Sequence, residues 1–363
     1  MTITTTTPGI VRSQDGSAIS YETMGAGDGL LVLGGAWRTG HDYLPFARTL
    51  APFFAVHVID RRGRGRSGPQ GADYSIEREL EDLFAVQADT GATAVFGHSY
   101  GGLVALEAAR RSTVFTDVVV YEPGVSIAGS MPLGWLSRYR ELLSAGDRRG
   151  AFAAMVRGAG GAPPALERMP LWYVKLMLRL FIRQHRWRQT DPLLEAALAE
   201  HGQVAALDDG SAERYRSVAA HVVLLGGGMS RSHFTTTLFD QLAAVIAHST
   251  TELIDGLDHL GPDEKAPELV GERVRHHLSS GISSRHAMAH IGPLLPRQSA
   301  YYVRTCPRSL PDQTSHRSRP GLNNALAARG VRLSLGGSVD HPSDPMGKCF
   351  FNILATFAEF ELA

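Results

Sequence analysis

Cysteine is nearly missing from this 363-residue sequence, and the two that occur, Cys306 and Cys349, both lie near its end. Residues 1–279 therefore contain no thiol, which excludes a disulfide-built scaffold, a thiolate metal site and a cysteine nucleophile from that region. The sequence also lacks a basic, then apolar, amino-terminal segment and any uncharged apolar run of about 18 residues. We therefore expect a soluble, cytoplasmic protein with no membrane partner.

An excess of charge of one sign is also lacking, because 36 Lys and Arg residues balance 36 Asp and Glu residues. A dedicated nucleic-acid binder needs a basic surface to displace counterions from phosphates, so we expect no nucleic-acid partner. The charge is unevenly distributed: residues 280–363 hold nine Lys and Arg residues against five acidic ones. Within this stretch, residues 280–324 are rich in Ser, Pro, Arg and His without a sustained period, which predicts a disordered linker.

Apolar runs that alternate with helical patterns dominate the rest of the chain. A hairpin is predicted around Asp15-Gly16, and six buried strands follow, at residues 30–34, 55–60, 93–97, 117–122, 221–226 and 251–255. Strands joined by helices predict an α/β fold with a mainly parallel sheet flanked by helices. Only helical patterns occur between residues 126 and 216, which predicts a helical cap inserted into a core formed by residues 1–125 and 217–279.

A basic and aromatic helix is predicted inside the cap, at residues 171–188. Such a helix can lie on a membrane surface. The alternative, which we favour, is that its apolar face packs on the sheet domain while its arginines face water.

The sequence around Ser99 predicts a nucleophile. Gly97-His98-Ser99-Tyr100-Gly101 follows an apolar strand and precedes an Ala- and Leu-rich helix, which is the context that a G-x-S-x-G motif requires. The two glycines permit a sharp turn that lifts the Ser99 hydroxyl clear of the sheet. A hydroxyl becomes a good nucleophile only when a base takes its proton. The alternative is that Ser99 merely caps the following helix.

With this motif, residues 1–279 resemble the α/β-hydrolase superfamily. The segment Leu31 to Trp37 is similar to the family's oxyanion loop, so the resemblance implies that the backbone N–H of Ala36, or of Trp37, acts with that of Tyr100 on a developing oxyanion. Many relatives carry His just before the second glycine of this loop, where this sequence has Gly34. The segment from Asp60 to Gly68 is similar to the loop after the family's fourth strand, which favours a structural role over a nucleic-acid patch for its arginines.

The resemblance also implies a histidine base and a carboxylate partner. His259 lies after the last predicted strand and before a helix, where the family places its base. Most relatives carry the acid after the strand at residues 221–226, but the glycines there are followed by no carboxylate until later in the chain. Glu122, at the end of the neighbouring strand, is the candidate acid, as in some relatives; alternatively it only binds loop backbone. Asp255 and Asp258 rank below it.

No metal-ligand cluster and no dinucleotide fingerprint occur in the sequence, so we expect no metal and no cofactor. The predicted function is hydrolysis of a small-molecule carboxylic ester through acyl-Ser99, with His259 as base. Two alternatives remain: a non-catalytic small-molecule binder on the same fold, and a DNA-associated protein acting through its tail.

The tail contains a second, shorter resemblance. About 35 residues from Arg329 onward resemble an internal piece of resolvase-type serine recombinases, so we interpret residues 325–363 as a fragment of that family. Asp344 and Pro345 would start a helix with one apolar face, from Met346 to Phe360. Because the recombinase catalytic domain is missing, we expect no recombinase activity, and we expect self-association through this helix.

Overall fold

A mainly parallel sheet forms the centre of the molecule. The computed structural model describes residues 6–162, 164–182, 184–289, 333–335 and 338–340. Eight of its strands form one sheet in the order β1-β2-β4-β3-β5-β6-β7-β8. They are β1 Thr7–Arg12, β2 Ala18–Met24, β3 Gly29–Leu33, β4 Ala55–Ile59, β5 Ala94–His98, β6 Asp117–Tyr121, β7 His221–Gly227 and β8 Ser249–Ile254. Pairs β1–β2 and β2–β4 are antiparallel and the remaining pairs are parallel, as the sequence predicted.

Helices cover both faces of this sheet. They are α1 Leu44–Leu50, α2 Ile76–Thr90, α3 Tyr100–Arg111, α10 Thr236–Ala243 and α11 Pro267–Ala289. Residues of α2, α3 and α10 form a buried apolar cluster with one face of the strands, and residues of α1 and α11 form another with the opposite face. Helix α2 ends at Gly91, whose φ of 67° is a left-handed conformation that glycine adopts without strain.

The segment predicted as a cap contains helices and no strand among its described residues. The helices are α4 Leu136–Ser144, α5 Arg148–Gly158, α6 Pro164–Arg168, α7 Leu171–Phe181, α8 Gln184–Thr190 and α9 Leu194–Ala206. Trp135, Tyr139, Leu142 and Leu194 belong to a small apolar core of its own. Helix α9 connects the cap to the sheet domain, because its Val204 belongs to the cluster on the sheet.

Two of the predicted features are wrong in detail. The single helix predicted at residues 171–188 is two helices, α7 and α8, and α7 packs against α5 within the cap instead of against the sheet. The linker predicted from residue 280 begins too early, because α11 continues to Ala289. In α11, the stretch from Ser279 to Gly281 favours a break, but the helix continues through it.

Two units divide the chain, Met1–Tyr302 and Val303–Ala363. In the second unit, β9 Leu333–Leu335 pairs antiparallel with β10 Ser338–Asp340. The helix predicted from Met346 to Phe360 and the linker residues beyond Ala289 lie outside the described residues. In the part of the chain that is described, no helix has the length and apolar character needed to cross a bilayer.

Candidate active site

Ser99 lies in the sharp turn between β5 and α3. Its backbone has a φ of 53° and a ψ of −119°, a region that a residue with a side chain adopts only when its surroundings enforce it. A Cβ added at Gly97 would lie 2.4 Å from the Gly101 carbonyl oxygen, and one added at Gly101 would lie 2.4 Å from that of Leu33. The turn can therefore form only with glycine at both positions.

The structure brings Ser99, His259 and Glu122 together in a continuous hydrogen-bonded row. The Ser99 hydroxyl lies 3.1 Å from Nε2 of His259, and Nδ1 of the same ring lies 2.8 Å from Oε2 of Glu122. Because a carboxylate can only accept, Nδ1 carries the proton and Nε2 presents its lone pair to the hydroxyl. These residues come from the ends of three different strands, as the sequence predicted for them.

Glu122 is held from its other side by the neighbouring strand. The side chain is fully buried, and its Oε1 accepts a hydrogen bond of 2.8 Å from the backbone N–H of Gly227. Glu122 thus contacts the His259 ring with one carboxylate oxygen and strand backbone with the other, so it does not bind backbone alone. Asp258 binds Lys265 and the backbone N–H of Leu260 instead of the His259 ring.

The environment of His259 favours its protonated form. Burial alone would lower the pKa of this imidazole, but the hydrogen bond to Glu122 and the attraction of that carboxylate outweigh it, so the pKa is raised above its ordinary value. A third of the side chain remains exposed, at 34%. The ring can therefore accept a proton from Ser99 and hold the resulting charge beside Glu122.

The loop that follows β3 lies directly against Ser99. A Cβ added at Gly35 would come within 3.1 Å of the Ser99 Cβ, so this loop lies against Ser99 in space, while the first residue of α3 follows Ser99 in the chain. The predicted oxyanion donors occupy these two places: Ala36 and Trp37 follow Gly35, and Tyr100 begins α3. Trp37 has a φ of 58°, which marks a second strained backbone position at the site.

A buried row of hydrogen bonds joins this loop to the loop that carries His259. Gly35 donates its N–H to the Tyr43 hydroxyl over 2.9 Å, and that hydroxyl lies 2.6 Å from Nδ1 of His98. Nε2 of His98 lies 2.8 Å from the His259 carbonyl oxygen, which can only accept, so Tyr43 donates to His98. Burial and the nearby His259 lower the pKa of His98 well below its ordinary value, so it stays neutral.

Tyr43 explains the glycine that stands where many relatives have histidine. A Cβ added at Gly34 would lie 2.5 Å from the Tyr43 ring, so the ring occupies the space beside this residue. The sequence gives no signal for the contact between Tyr43 and His98, because no periodicity connects residues on separate elements.

A buried cluster of charges lies behind the same loop. Arg61 and Arg64 donate to the carbonyl oxygens of this loop, and their carboxylate partners are Glu79 and Glu200. All four side chains are at most 5% exposed as residues. The sequence predicts a structural loop here but does not reveal the carboxylate partners of Arg61 and Arg64.

Aromatic rings lie beside His259 and beside the residue that follows Ala36 in the oxyanion loop. Phe234 lies beside His259, with ring centroids 5.6 Å apart. Trp37 contacts His201 and Trp135 of the cap, with centroid distances of 4.8 and 6.3 Å. Trp37 therefore joins the loop beside Ser99 to the cap through ring contacts. Within the described ranges, no three His, Cys, Asp or Glu side chains are grouped so that they could hold a metal ion.

Comparison with known proteins agrees with this architecture. Residues 30–273 match the model of the alpha/beta hydrolase family. A pimeloyl-[acyl-carrier protein] methyl ester esterase of Photobacterium profundum is 37% identical over 93 residues, which are 26% of this chain and 35% of that relative. The chain therefore spans about a third of this curated relative.

Two solved structures extend the comparison. An alpha/beta hydrolase from Sphaerobacter thermophilus is 28% identical, with a TM-score of 0.62 over 73% of this chain and 98% of that one. An esterase from Rhodococcus sp. ECU1013 is 22% identical, with a TM-score of 0.50 over 75% of this chain and 98% of that one. The second likeness concerns the fold alone.

Proposed function

Because this chain belongs to the alpha/beta hydrolase family, we propose that it is a serine hydrolase that cleaves a carboxylic ester, or a related acyl bond, of a small molecule. The observation that carries this proposal is the row of contacts from the Ser99 hydroxyl through His259 to Glu122, with distances of 3.1 and 2.8 Å. A nucleophile, a base and a buried carboxylate in that order are the parts that acyl transfer requires.

In the first half of the reaction, Ser99 becomes acylated. Its oxygen attacks the carbonyl carbon of the ester while Nε2 of His259 takes the hydroxyl proton, and the carbonyl electron pair moves to the oxygen. The N–H groups of Tyr100 and of Ala36, or Trp37, stabilise this oxyanion. The bond to the alcohol oxygen then breaks, and the alcohol leaves with the proton from His259.

In the second half, water releases the acid. His259 takes a proton from a water molecule, whose oxygen attacks the acyl carbon and forms a second oxyanion. The bond between the acyl group and the Ser99 oxygen breaks, and Ser99 recovers its proton from His259. The Glu122 carboxylate offsets the charge of the imidazolium.

Two observations favour an ester with an apolar group. Phe234 lies beside His259, and Trp37 of the oxyanion loop contacts Trp135 of the cap; burying an apolar group against such rings is favourable. A curated relative that is 37% identical over 93 residues is an esterase by name. A non-catalytic binder is less well supported, since Glu122 contacts His259 although the usual aspartate is missing.

The test is turnover together with covalent labelling. Activated esters of increasing acyl length are offered to the protein, and the serine that reacts with a fluorophosphonate probe is located by peptide mass spectrometry. We expect turnover of at least one ester and labelling at Ser99. Ester turnover without any labelling at Ser99 contradicts the assigned nucleophile, and lack of both contradicts the proposed function.

A further inference from the structure

The carbonyl oxygen of one peptide group in the oxyanion loop accepts hydrogen bonds from two arginines. The oxygen of Gly35 accepts hydrogen bonds from Nη2 of Arg61 over 3.2 Å and from Nη1 of Arg64 over 3.1 Å. The carbonyl of Gly35 and the N–H of Ala36 belong to the same peptide group. The contacts of the two arginines therefore act directly on the N–H of Ala36, which follows the glycine that lies against Ser99.

Hydrogen bonds to a peptide carbonyl also fix the direction of the N–H in the same peptide group. The group is planar and trans, so its C=O and N–H bonds point in opposite directions. Two donors that fix where the oxygen points also fix where the N–H points. Ala36 consequently directs its N–H away from the arginines, on the side of the loop opposite to the charge cluster.

The hydrogen bonds from the two arginines also make the Ala36 N–H a stronger hydrogen-bond donor. Hydrogen bonds from charged donors are stronger than those between neutral groups. A carbonyl that accepts such bonds is polarised, and this makes the N–H at the other end of the peptide a better donor, because hydrogen bonds in a chain reinforce one another. The effect is larger here because Arg61 and Arg64 are only 1% and 5% exposed.

The two arginines are themselves fixed in place. Arg61 also donates to the Gly34 carbonyl over 3.0 Å and to Glu79 over 2.7 Å. Glu200 accepts from both arginines at once. Although burial opposes the charge of Arg61, the attraction of Glu200 and Glu79 raises its pKa well above the ordinary value, so the guanidinium stays charged at any pH of interest.

We propose that Arg61 and Arg64 are positioning residues of the oxyanion hole, which orient and polarise the peptide between Gly35 and Ala36. Glu200 lies on α9, so the cap supplies the counter-charge that keeps both guanidinium groups against the loop. This inference rests on the proposed function, since an oxyanion forms only if Ser99 attacks a carbonyl.

Arg62 provides a matched control for the test. It lies between Arg61 and Arg64 in the sequence and is similarly buried, at 1% exposure. Its guanidinium binds Asp82 and Asp15 instead of the loop carbonyls. Arg64→Lys and Arg62→Lys each replace a buried guanidinium by an ammonium. Both variants should lose stability because the ammonium cannot make all the hydrogen bonds of the guanidinium. Only Arg64→Lys alters the hydrogen bonds to the Gly35 carbonyl.

The experiment measures kcat and KM per active site titrated with a fluorophosphonate, so that unfolded chains are not counted. We expect Arg64→Lys to lower kcat about tenfold with little change in KM, which is part of the loss that follows removal of a whole oxyanion donor. Binding of a trifluoromethyl ketone inhibitor, which forms an oxyanion on Ser99, should weaken by a similar factor. Arg62→Lys should keep kcat and inhibitor affinity while its Tm falls.

A second variant and a second readout cover the case in which Arg64→Lys does not fold. Glu200→Gln keeps both arginines and removes the counter-charge, and we expect kcat to fall about threefold without a matching rise in KM. The backbone amide resonance of Ala36 reports polarisation without turnover; it should move in Glu200→Gln and stay in Arg62→Lys.

The outcomes separate this inference from the proposed function. If the Arg64→Lys or Glu200→Gln protein keeps the kcat and inhibitor affinity of Arg62→Lys, the hydrogen bonds of the arginines to the Gly35 carbonyl have no role in catalysis. The inference is then wrong. If the unmodified protein neither turns over esters nor reacts with the phosphonate, the proposed function fails first and the inference fails with it.

Discussion

The backbone N–H of Gly227 and the carboxylate of Glu122 lie 2.8 Å apart, so β7 contributes a hydrogen bond to the acid instead of the acid itself. The carboxylate comes from the residue that follows β6, the neighbouring strand, and contacts Nδ1 of His259. Glu122 has a φ of 43°, a strained backbone conformation held by its buried surroundings.

Replacement of Ser99 by alanine should abolish ester turnover, with a fall of at least about 10³-fold in kcat. The reason is that no other hydroxyl in the described row lies against Nε2 of His259. Fluorophosphonate labelling should disappear, and the Tm should stay within about 3 °C because no packing is lost. Labelling at a different serine in this variant would assign the nucleophile elsewhere.

Glu122→Gln should lower kcat by about 10³- to 10⁴-fold, because an amide neither offsets the imidazolium charge nor enforces the tautomer. The pH profile gives a separate readout. His259 acts as base only when neutral, so kcat/KM rises with pH through its pKa, and the raised pKa places this limb above the ordinary value. Without the carboxylate, burial dominates, the pKa falls, and the limb should move to lower pH. An unmoved limb would contradict the assigned acid.

Gly227→Ala tests the strand end that holds Glu122. An added Cβ would lie 2.2 Å from the Leu257 carbonyl oxygen, so the backbone of β7 must shift and the hydrogen bond to Glu122 must lengthen. We expect a lower Tm and a lower kcat, measured by thermal unfolding and ester turnover. Gly202→Ala is the control: nothing lies within 4 Å of a Cβ there, and alanine favours the helix by about 1 kcal/mol.

Truncation tests the boundary of the hydrolase. A chain that ends after Ala289 keeps all of α11 and should retain ester turnover and Tm, while losing the apolar segment from Met346 to Phe360 and gaining solubility. A chain that ends at Ser280 cuts within α11 and serves as comparison. If the longer truncated chain unfolds, residues of the tail belong to the hydrolase body. The full chain should neither cut nor exchange DNA strands.

The sequence pointed to Ser99 through the glycine spacing between an apolar strand and a helix. His259, Glu122, Ala36 and Tyr100 were candidates because of the resemblance to the α/β-hydrolase superfamily. Parallel strands bring their carboxyl ends to one edge of the sheet, which is why residues after separate strands can meet. Element boundaries were less certain where a breaker residue does not end the helix, as at Gly281 inside α11.

The contacts that the sequence did not reveal all join separate elements through side chains. Tyr43 meets His98 across 55 positions, and Arg61 meets Glu200 across 139. Neither pair has a periodicity or a spacing rule, since burial of a charge is visible only once its partner is known. Arginines in a glycine-rich turn therefore gave the signal of a loop and concealed an ion-pair cluster.

The separation of Arg61 and Glu200 has a consequence during synthesis. A ribosome adds about 5–20 residues per second, so Glu200 follows Arg61 by roughly 10–30 s. Until Glu200 is synthesised, Arg61 and Arg64 share Glu79 as the one carboxylate of this cluster that is already in the chain. Burying an unpaired charge is unfavourable, so the amino-terminal half should stay open and protease-sensitive until the cap emerges. Ribosome-bound chains arrested before and after residue 200, compared by brief proteolysis, would reveal when the Arg61 segment becomes protected.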